Sequence, residues 1–113
     1  MKPAGMTPVQ ITLRGMAHSD ALVGAIREHA EKLGRHHEHI ASCRVTLEVV
    51  GKHKQHGSEV AVHIDLKIPG EEIAVTRKHA EDAAVAVRDA FDAAQRSLEG
   101  LEDRQRGRRT RAL

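Results

Sequence analysis

The sequence predicts an α+β domain, a two-layer β-α-β-β-β-α arrangement in which a four-stranded mixed sheet carries two helices on one face. Two observations predict this fold class. Apolar residues alternate with polar residues over four short segments, and they recur every three or four positions over two longer segments. The order is strand, helix, three strands, helix. The first helix therefore joins two strands that are expected to be parallel, through a right-handed crossover.

The first strand and the first helix have clear local signals. Residues Val9–Arg14 alternate between apolar and polar before a glycine, which is typical of a strand with one buried face. Ser19 stands where a helix N-cap belongs, and apolar residues follow it at spacings of four, four and three. We therefore expect the first helix to span about residues 20–37.

The next three strands are predicted to form a meander. The alternation resumes at Cys43, returns over residues 60–68 and ends in a shorter fourth strand after Pro69 and Gly70, a pair typical of a type II turn. The polar segment 51–58 is predicted to be a protruding hairpin loop. Cys43 shares the inward phase of its strand, so we expect a small buried residue and not a nucleophile.

The second helix is predicted from an apolar seam that starts at Ala80 and ends at Leu98 or Leu101. Acidic residues lie near its start, where the helix dipole favours negative charge. Phe91 is the only aromatic residue of the chain and the one large anchor of the seam. This is the longest predicted helix.

The net charge is divided unevenly along the chain. Residues 1–103 carry 13 Lys and Arg against 16 Asp and Glu, whereas residues 104–113 carry five arginines and no acid. We therefore divide the chain into a flexible lead (1–8), in which Met6 is a second candidate start, one domain (9–103) and a basic, disordered tail (104–113). We favour a tail that contacts RNA phosphates over a merely solubilising end.

The composition argues against several classes of function. With one aromatic residue, the chain has no row of platforms on which bases could stack. It has no glycine-rich phosphate loop, nucleophile elbow or paired catalytic carboxylates, so we expect no enzyme, no cofactor and no small-molecule substrate. A single cysteine and the lack of an apolar run of about 18 residues indicate a cytoplasmic protein without a membrane partner.

Nine histidines raise the question of a metal site. The clustered ones are His36, His37 and His39 after the first helix, and His53 and His56 in the hairpin. Their spacings match no closed tetrahedral zinc motif. We therefore expect no metal and interpret these side chains as solvated groups or phosphate contacts.

Four segments cover most of the chain from Val9 to Glu99 and share an ordered pattern. They are QITLRGM at 10–16, IREHAEKLGRHHEHIASCRVTLEV at 26–49, VHIDLKIPGEEIAV at 62–75 and AEDAAVAVRDAFDAAQRSLE at 80–99. This set resembles the ribosome hibernation-promoting factors, also called ribosome-associated translation inhibitors. The chain looks like a short form, without the second domain by which long members join two ribosomes.

The resemblance implies both a shape and a function. The fold would be similar to that of double-stranded RNA-binding domains. It would dock on the small ribosomal subunit in the decoding region, overlap the mRNA and tRNA sites, and keep idle ribosomes inactive during stress or stationary phase.

Eleven basic residues are the candidate contacts to ribosomal RNA, which proteins touch mainly through phosphates and sugar hydroxyls. They are Arg27, Lys32, Arg35, Arg77, Lys78, Arg88, Arg96, Arg104, Arg106, Arg108 and Arg109. Lys32, Arg35 and Arg96 match basic positions of the family, so they are the strongest candidates. Arg88 and Arg96 have an alternative role in intrahelical ion pairs, because Asp92 is four residues from each.

Departures from the family pattern support a second hypothesis. Ala84 and Ala93 stand where the family's second helix commonly has an aromatic residue and a lysine, and residues 79–103 hold two basic against seven acidic residues. The alternative to a ribosome-binding inhibitor is thus a protein-interaction module that has kept the fold and lost strong rRNA affinity. Such a module would use an exposed sheet edge or face, for example for weak self-association.

Overall fold

Six elements follow one another in the predicted order, and the predicted fold class is confirmed. The computed structural model describes residues 8–53, 57–80 and 82–112, with side chains described outside 51–53, 57–58, 79–80 and 108–112. The elements are β1 (Val9–Arg14), α1 (Asp20–His36), β2 (Ser42–His53), β3 (Gly57–Ile68), β4 (Glu71–Ala80) and α2 (Ala83–Ala112).

The sheet has the strand order β1-β2-β3-β4. β1 is parallel to β2, as a crossover through α1 requires, and the other neighbours are antiparallel. Among the described side chains, alternate residues face the helices; those in the middle of β2 and β3 are buried, for example Val45, Leu47, Ile64 and Leu66, and those of β1 are partly buried. The remaining residues form the open face of the sheet, which is polar because no other layer covers it in the described structure.

Each helix begins at a side chain that caps it. The Leu22 N–H donates to the Ser19 hydroxyl at 3.2 Å, which confirms Ser19 as the N-cap of α1. The Ala84 N–H donates to Asp82 Oδ1 at 2.9 Å, so α2 begins after Asp82. The prediction that Ala80 opens the seam of α2 is therefore wrong. Ala80 belongs to β4, where it pairs with Glu59 of β3.

The two hairpins differ in how well their ends were predicted. Gly70 has a φ of 77°, the left-handed conformation that the turn between β3 and β4 requires. The prediction of a loop over 51–58 is largely wrong, because β2 and β3 remain paired as far as His53 and Gly57. The register of this pairing shifts between Val50 and Lys52. Cross-strand hydrogen bonds need no apolar face, so a polar sequence can continue the ribbon. Residues 54–56 lie outside the described part.

The basic end of the chain is helical where a disordered tail was predicted. α2 continues to Ala112 without a break at Gly100. Leu101 is buried, and Arg106 lies 2.9 Å from Asp103, one turn before it. Arginine also has a high helix propensity, so anchored residues at the start of this segment let the helix propagate.

The core between the sheet and the helices is formed mostly by aliphatic side chains. Phe91 is buried as predicted and is its largest member. Small residues of α2 such as Ala90 and Ala94 are completely buried, which brings this helix close to the sheet. No helix in the described ranges combines the length and the apolar character that a membrane crossing requires.

Candidate nucleic-acid interface

A groove between α1 and α2 gathers basic side chains from both helices. This inter-helix groove has a volume of about 360 Å³. Its lining residues are His29, Lys32, Leu33, His36, His37, Arg88, Phe91, Asp92 and Gln95. Lys32 and Arg88 supply two permanent positive charges, whereas Asp92 is the one carboxylate among these residues.

The helical repeat explains why these residues share the groove. On α1, His29, Lys32 and His36 follow one another at spacings of three and four, which places them on one face of the helix. On α2, Arg88 and Gln95 are seven residues apart and therefore also share a face. The two faces meet because α1 and α2 pack side by side on the sheet.

The floor of the groove is rigid and partly aromatic. The rings of His29 and Phe91 stack with their centroids 5.2 Å apart and their planes 14° apart. Phe91 is only 4% exposed, so it is fixed by the core, and it orients the imidazole of His29 above it. The imidazole of His29 lines the same groove as Lys32 and Arg88, so it is suited to donate a hydrogen bond to a phosphate oxygen that these cations attract.

Among the predicted RNA contacts, Lys32 and Arg88 are brought together directly. Arg35 is exposed on α1 three residues after Lys32, and Arg96 is exposed on α2 but does not line the groove. Within the described residues, neither Arg88 nor Arg96 has a carboxylate at ion-pair distance, so the alternative pairing with Asp92 is not formed.

Three other predicted contacts lie on different surfaces. Arg27 lines a separate groove between α1 and β1 with Leu13. Arg77 lies beside α2, with its Nε 3.7 Å from Asp89, and one of its N–H groups donates to the Thr76 carbonyl at 2.9 Å. Lys78 is exposed on the open face of the sheet. These residues do not extend the inter-helix groove.

The arginines after residue 103 lie on the last turns of α2. The Arg104 guanidinium lies over Gly100, 3.6 Å from where a Cβ would stand. Arg106 forms the ion pair with Asp103 at 2.9 Å. Arg108 and Arg109 continue the helix, and their side chains lie outside the described part. These arginines thus belong to a helix, in place of the predicted disordered tail.

The acidic residues of α2 are mostly engaged with the chain itself. Asp82 caps the helix, and the carboxylates of the helix other than Asp92 have side-chain partners at 3.7 Å or less. These pairs are Asp89 with Arg77, Glu99 with Gln95, Glu102 with His37 and Asp103 with Arg106. The excess of acid in this helix, which the sequence suggested would weaken RNA binding, is therefore largely used for internal contacts.

His37 connects the end of α1 to the C-terminal part of α2. It is 7% exposed, and its Nδ1 lies 3.1 Å from the Glu102 carboxylate, which is itself mostly buried. Its backbone N–H donates to the Leu33 carbonyl at 3.0 Å as the C-cap of α1. This contact fixes the point from which the arginine-bearing end of α2 extends.

Cys43 and the histidines offer no centre for chemistry in the described structure. Cys43 is 2% exposed, which confirms the buried residue that the alternation predicted. Burial, with a smaller effect of the Asp65 carboxylate, raises the pKa of its thiol to about 12, so it is not a nucleophile near neutral pH. In the described ranges, no three His, Cys, Asp or Glu side chains come together to hold a metal ion. His56 and the side chain of His53 lie outside them.

The inter-helix groove was only partly predictable from the sequence. Lys32 and Arg88 were candidates because of their charge, but His29 was missed as a groove residue. The spacing of His29, Lys32 and His36 was the available signal, and it indicates a shared face without showing which surface that face meets.

The fold and the groove define a class: a small α+β protein with basic side chains gathered between its two helices. Residues 9–106 match the family model described as sigma 54 modulation protein / S30EA ribosomal protein. The chain therefore belongs to this family of ribosome-associated proteins, and its predicted membership among the hibernation-promoting factors is confirmed.

Two solved structures share the fold. A ribosomal subunit interface protein from Coxiella burnetii superimposes with a TM-score of 0.74 at 15% identity, over 86% of this chain and 99% of that one. The N-terminal domain of Protein Y from Thermus thermophilus gives a TM-score of 0.70 at 20% identity, over 85% of this chain and 99% of that one. At these identities the likeness establishes the fold alone. No curated protein sequence is significantly similar to this one.

Proposed function

We propose that this chain is a non-enzymatic translation inhibitor that binds the decoding region of the small ribosomal subunit. Bound there, it would overlap the mRNA and tRNA sites and hold ribosomes inactive during stress or stationary phase. The observation that carries the proposal is the inter-helix groove, where Lys32 and Arg88 lie with three histidines, one of which stacks on the buried Phe91. Membership in a ribosome-associated family supports the ribosome as the partner and, with it, a cytoplasmic location.

The chemistry of the groove fits ribosomal RNA better than a sequence-specific target. Double-stranded RNA displays phosphates and 2′-hydroxyl groups along its accessible groove, and side chains read few base edges there. Lys32 and Arg88 provide charge for phosphates, and His29 and His36 provide hydrogen-bond donors or acceptors. Binding would therefore depend on the shape of the RNA and on its charge.

The placement of acidic residues on α2 weighs against the alternative of a module that has lost rRNA affinity. Of the carboxylates of α2 between residues 83 and 103, Asp92 alone lines the groove. A phosphate that approaches the groove therefore meets one carboxylate against the two cations Lys32 and Arg88. The alternative predicts no ribosome binding at any salt concentration.

A competition experiment on purified small subunits tests the proposed site. Subunits programmed with mRNA are incubated with tRNA and increasing amounts of protein, and bound tRNA is measured by filter retention. We expect the protein to reduce tRNA binding, and we expect Lys32→Glu/Arg88→Glu to lose this effect. Arg14→Glu/Arg44→Glu, a matched reversal on the open face of the sheet, should compete as the wild type does. Unchanged competition by the groove variant would overturn the assignment of the site.

A further inference from the structure

The outer edge of β4 is a second surface with a definite charge pattern. β4 is the last strand of the sheet, and its ten residues have no neighbour on the outer side in the described structure. Glu71 and Glu72 lie at its start, Arg77 and Lys78 lie near its end, and the four residues between them are uncharged. A strand with acid at one end and base at the other is complementary to an antiparallel copy of itself.

We propose that two copies of this chain associate by antiparallel pairing of their β4 strands about a two-fold axis. This interaction is independent of the proposed ribosome binding. It would join the two sheets into one of eight strands, with the helices of both copies on the same face. An isologous contact of this kind is closed at two copies, so it does not lead to fibres.

The register follows from the direction of the side chains. Ile73 and Val75 are buried under the helices, whereas Glu72 and Lys78 are exposed on the open face. Residues that oppose each other across two strands share a face, so only pairings of odd with odd and even with even residue numbers are allowed. Placing Val75 on the two-fold axis puts Glu72 of each copy directly opposite Lys78 of the other.

The alternative register, centred on Ala74, is less favourable. It would place Glu71 opposite Arg77 of the second copy. The Arg77 guanidinium is already engaged by Asp89 and by the Thr76 carbonyl. Lys78 has no carboxylate at ion-pair distance within the described residues, and Glu72 has only a loose contact of 3.9 Å with Lys67. The register centred on Val75 therefore uses the side chains that are available.

The helix layer is compatible with the same axis. α2 packs on β3 and β4, so its two copies would lie about two strand spacings apart, roughly 10 Å, which is the usual distance between packed helices. α2 runs back along β4 from the contact of Asp89 with Arg77. Val75 is two residues from Arg77, about 7 Å along the strand, which corresponds to four or five residues of helix. The axis thus passes near the part of α2 between Asp89 and Arg96.

Charges on the helices also match across this axis. Asp89 and Arg96 are seven residues apart and therefore lie on one side of α2. With the axis between them, Arg96 of one copy approaches Asp89 of the other, whose carboxylate also contacts Arg77 of its own chain. This is the side of α2 that faces the β4 edge, because Asp89 contacts Arg77 there.

Reversing the charges of Glu72 and Lys78 tests the proposed dimer, and the experiment needs only the protein itself. Sedimentation velocity is measured over a concentration series to about 1 mM for the wild type, Glu72→Lys, Lys78→Glu and the variant with both changes. Each single reversal places like charges opposite each other twice, so we expect the dimer dissociation constant to rise at least about tenfold. The doubly changed variant restores both pairs and should dimerise as the wild type does. Both residues are exposed, so the variants should fold, and far-UV circular dichroism checks this.

Mixing the two single variants gives the decisive measurement. An equimolar mixture of Glu72→Lys and Lys78→Glu should form heterodimers, because each residue again faces its opposite charge, although each variant alone is monomeric. A wild type that stays monomeric over the whole series would overturn the proposal. A dimer whose dissociation constant is the same in all four proteins would overturn it too, since it would form through another surface.

Discussion

Replacing Lys32 and Arg88 by glutamine should lower the salt dependence of binding to the small subunit by a defined amount. Both side chains line the inter-helix groove, and neither has an ion-pair partner among the described residues. They are therefore free to neutralise RNA phosphates. Glutamine keeps much of the length and polarity of each side chain, so the change removes mainly the two charges.

The expected magnitude follows from counterion release. Each phosphate contact contributes about 0.7 to 0.9 to the slope of log affinity against log salt, so two contacts contribute about 1.4 to 1.8. Between about 50 and 200 mM salt, the wild type should lose about seven to twelve times more affinity than the double variant. The assay is equilibrium binding of the labelled protein to purified small subunits across this range.

A matched control separates the groove from net charge. Arg14→Gln/Arg44→Gln removes two charges from the open face of the sheet, where both residues are exposed. Its slope should remain that of the wild type, apart from a small long-range effect that salt screens. An unchanged slope in Lys32→Gln/Arg88→Gln, or an equal reduction in the control, would refute the reasoning.

Three further predictions concern the end of α2 and the core. A chain that ends at Asp103 should keep its fold, lose helical signal in far-UV circular dichroism and bind small subunits more weakly, because five arginines are removed; equal affinity would show that the arginines do not contact RNA. Phe91→Ala should lower the free energy of unfolding by about 3 to 5 kcal/mol in urea titrations, and Phe91→Leu, which keeps more of the side-chain volume, should lower it less; equal effects would mean that Phe91 is not tightly packed. The Cys43 thiol should react with a disulfide reagent at pH 8 only on unfolding, and rapid reaction of the native protein would contradict its burial. Its pKa is raised on folding, so its contribution to stability is complete below the pKa of the unfolded thiol and is lost as the pH rises from about 9 towards 12.

The order of elements was predictable because its signals are local. A period of two marks the strands, and Ser19 marks the start of α1 through one hydrogen bond that the sequence already implies. The inward phase of Cys43 follows from the same alternation, and the turn at Gly70 follows from the conformational freedom of glycine. None of these features depends on distant residues.

The ends of the elements were less predictable because they depend on pairing across the fold. β2 ends only at His53 and β3 begins already at Gly57, although the sequence there is polar, because each strand satisfies the backbone hydrogen bonds of the other. α2 continues past Gly100 because Leu101 is buried and because Glu102 contacts His37, a residue 65 positions earlier. Composition alone could not show these partners.

The candidate site was predictable in its chemistry but not in its geometry. Arginine and lysine were identified by charge, and the structure divides them among the inter-helix groove, the β1 side of α1, the open face and the end of α2. Which basic residues converge depends on how α1 and α2 pack, a tertiary property. Arg27 and Lys32 are close in sequence, yet they line different grooves.

The most direct test of the account is co-sedimentation of the purified protein with small ribosomal subunits through a sucrose gradient at low and moderate salt. The account predicts near-stoichiometric binding at low salt that weakens steeply as salt rises, because phosphate contacts hold the complex together. Absence of binding at every salt concentration would contradict the proposed function and would leave the fold and the family assignment intact.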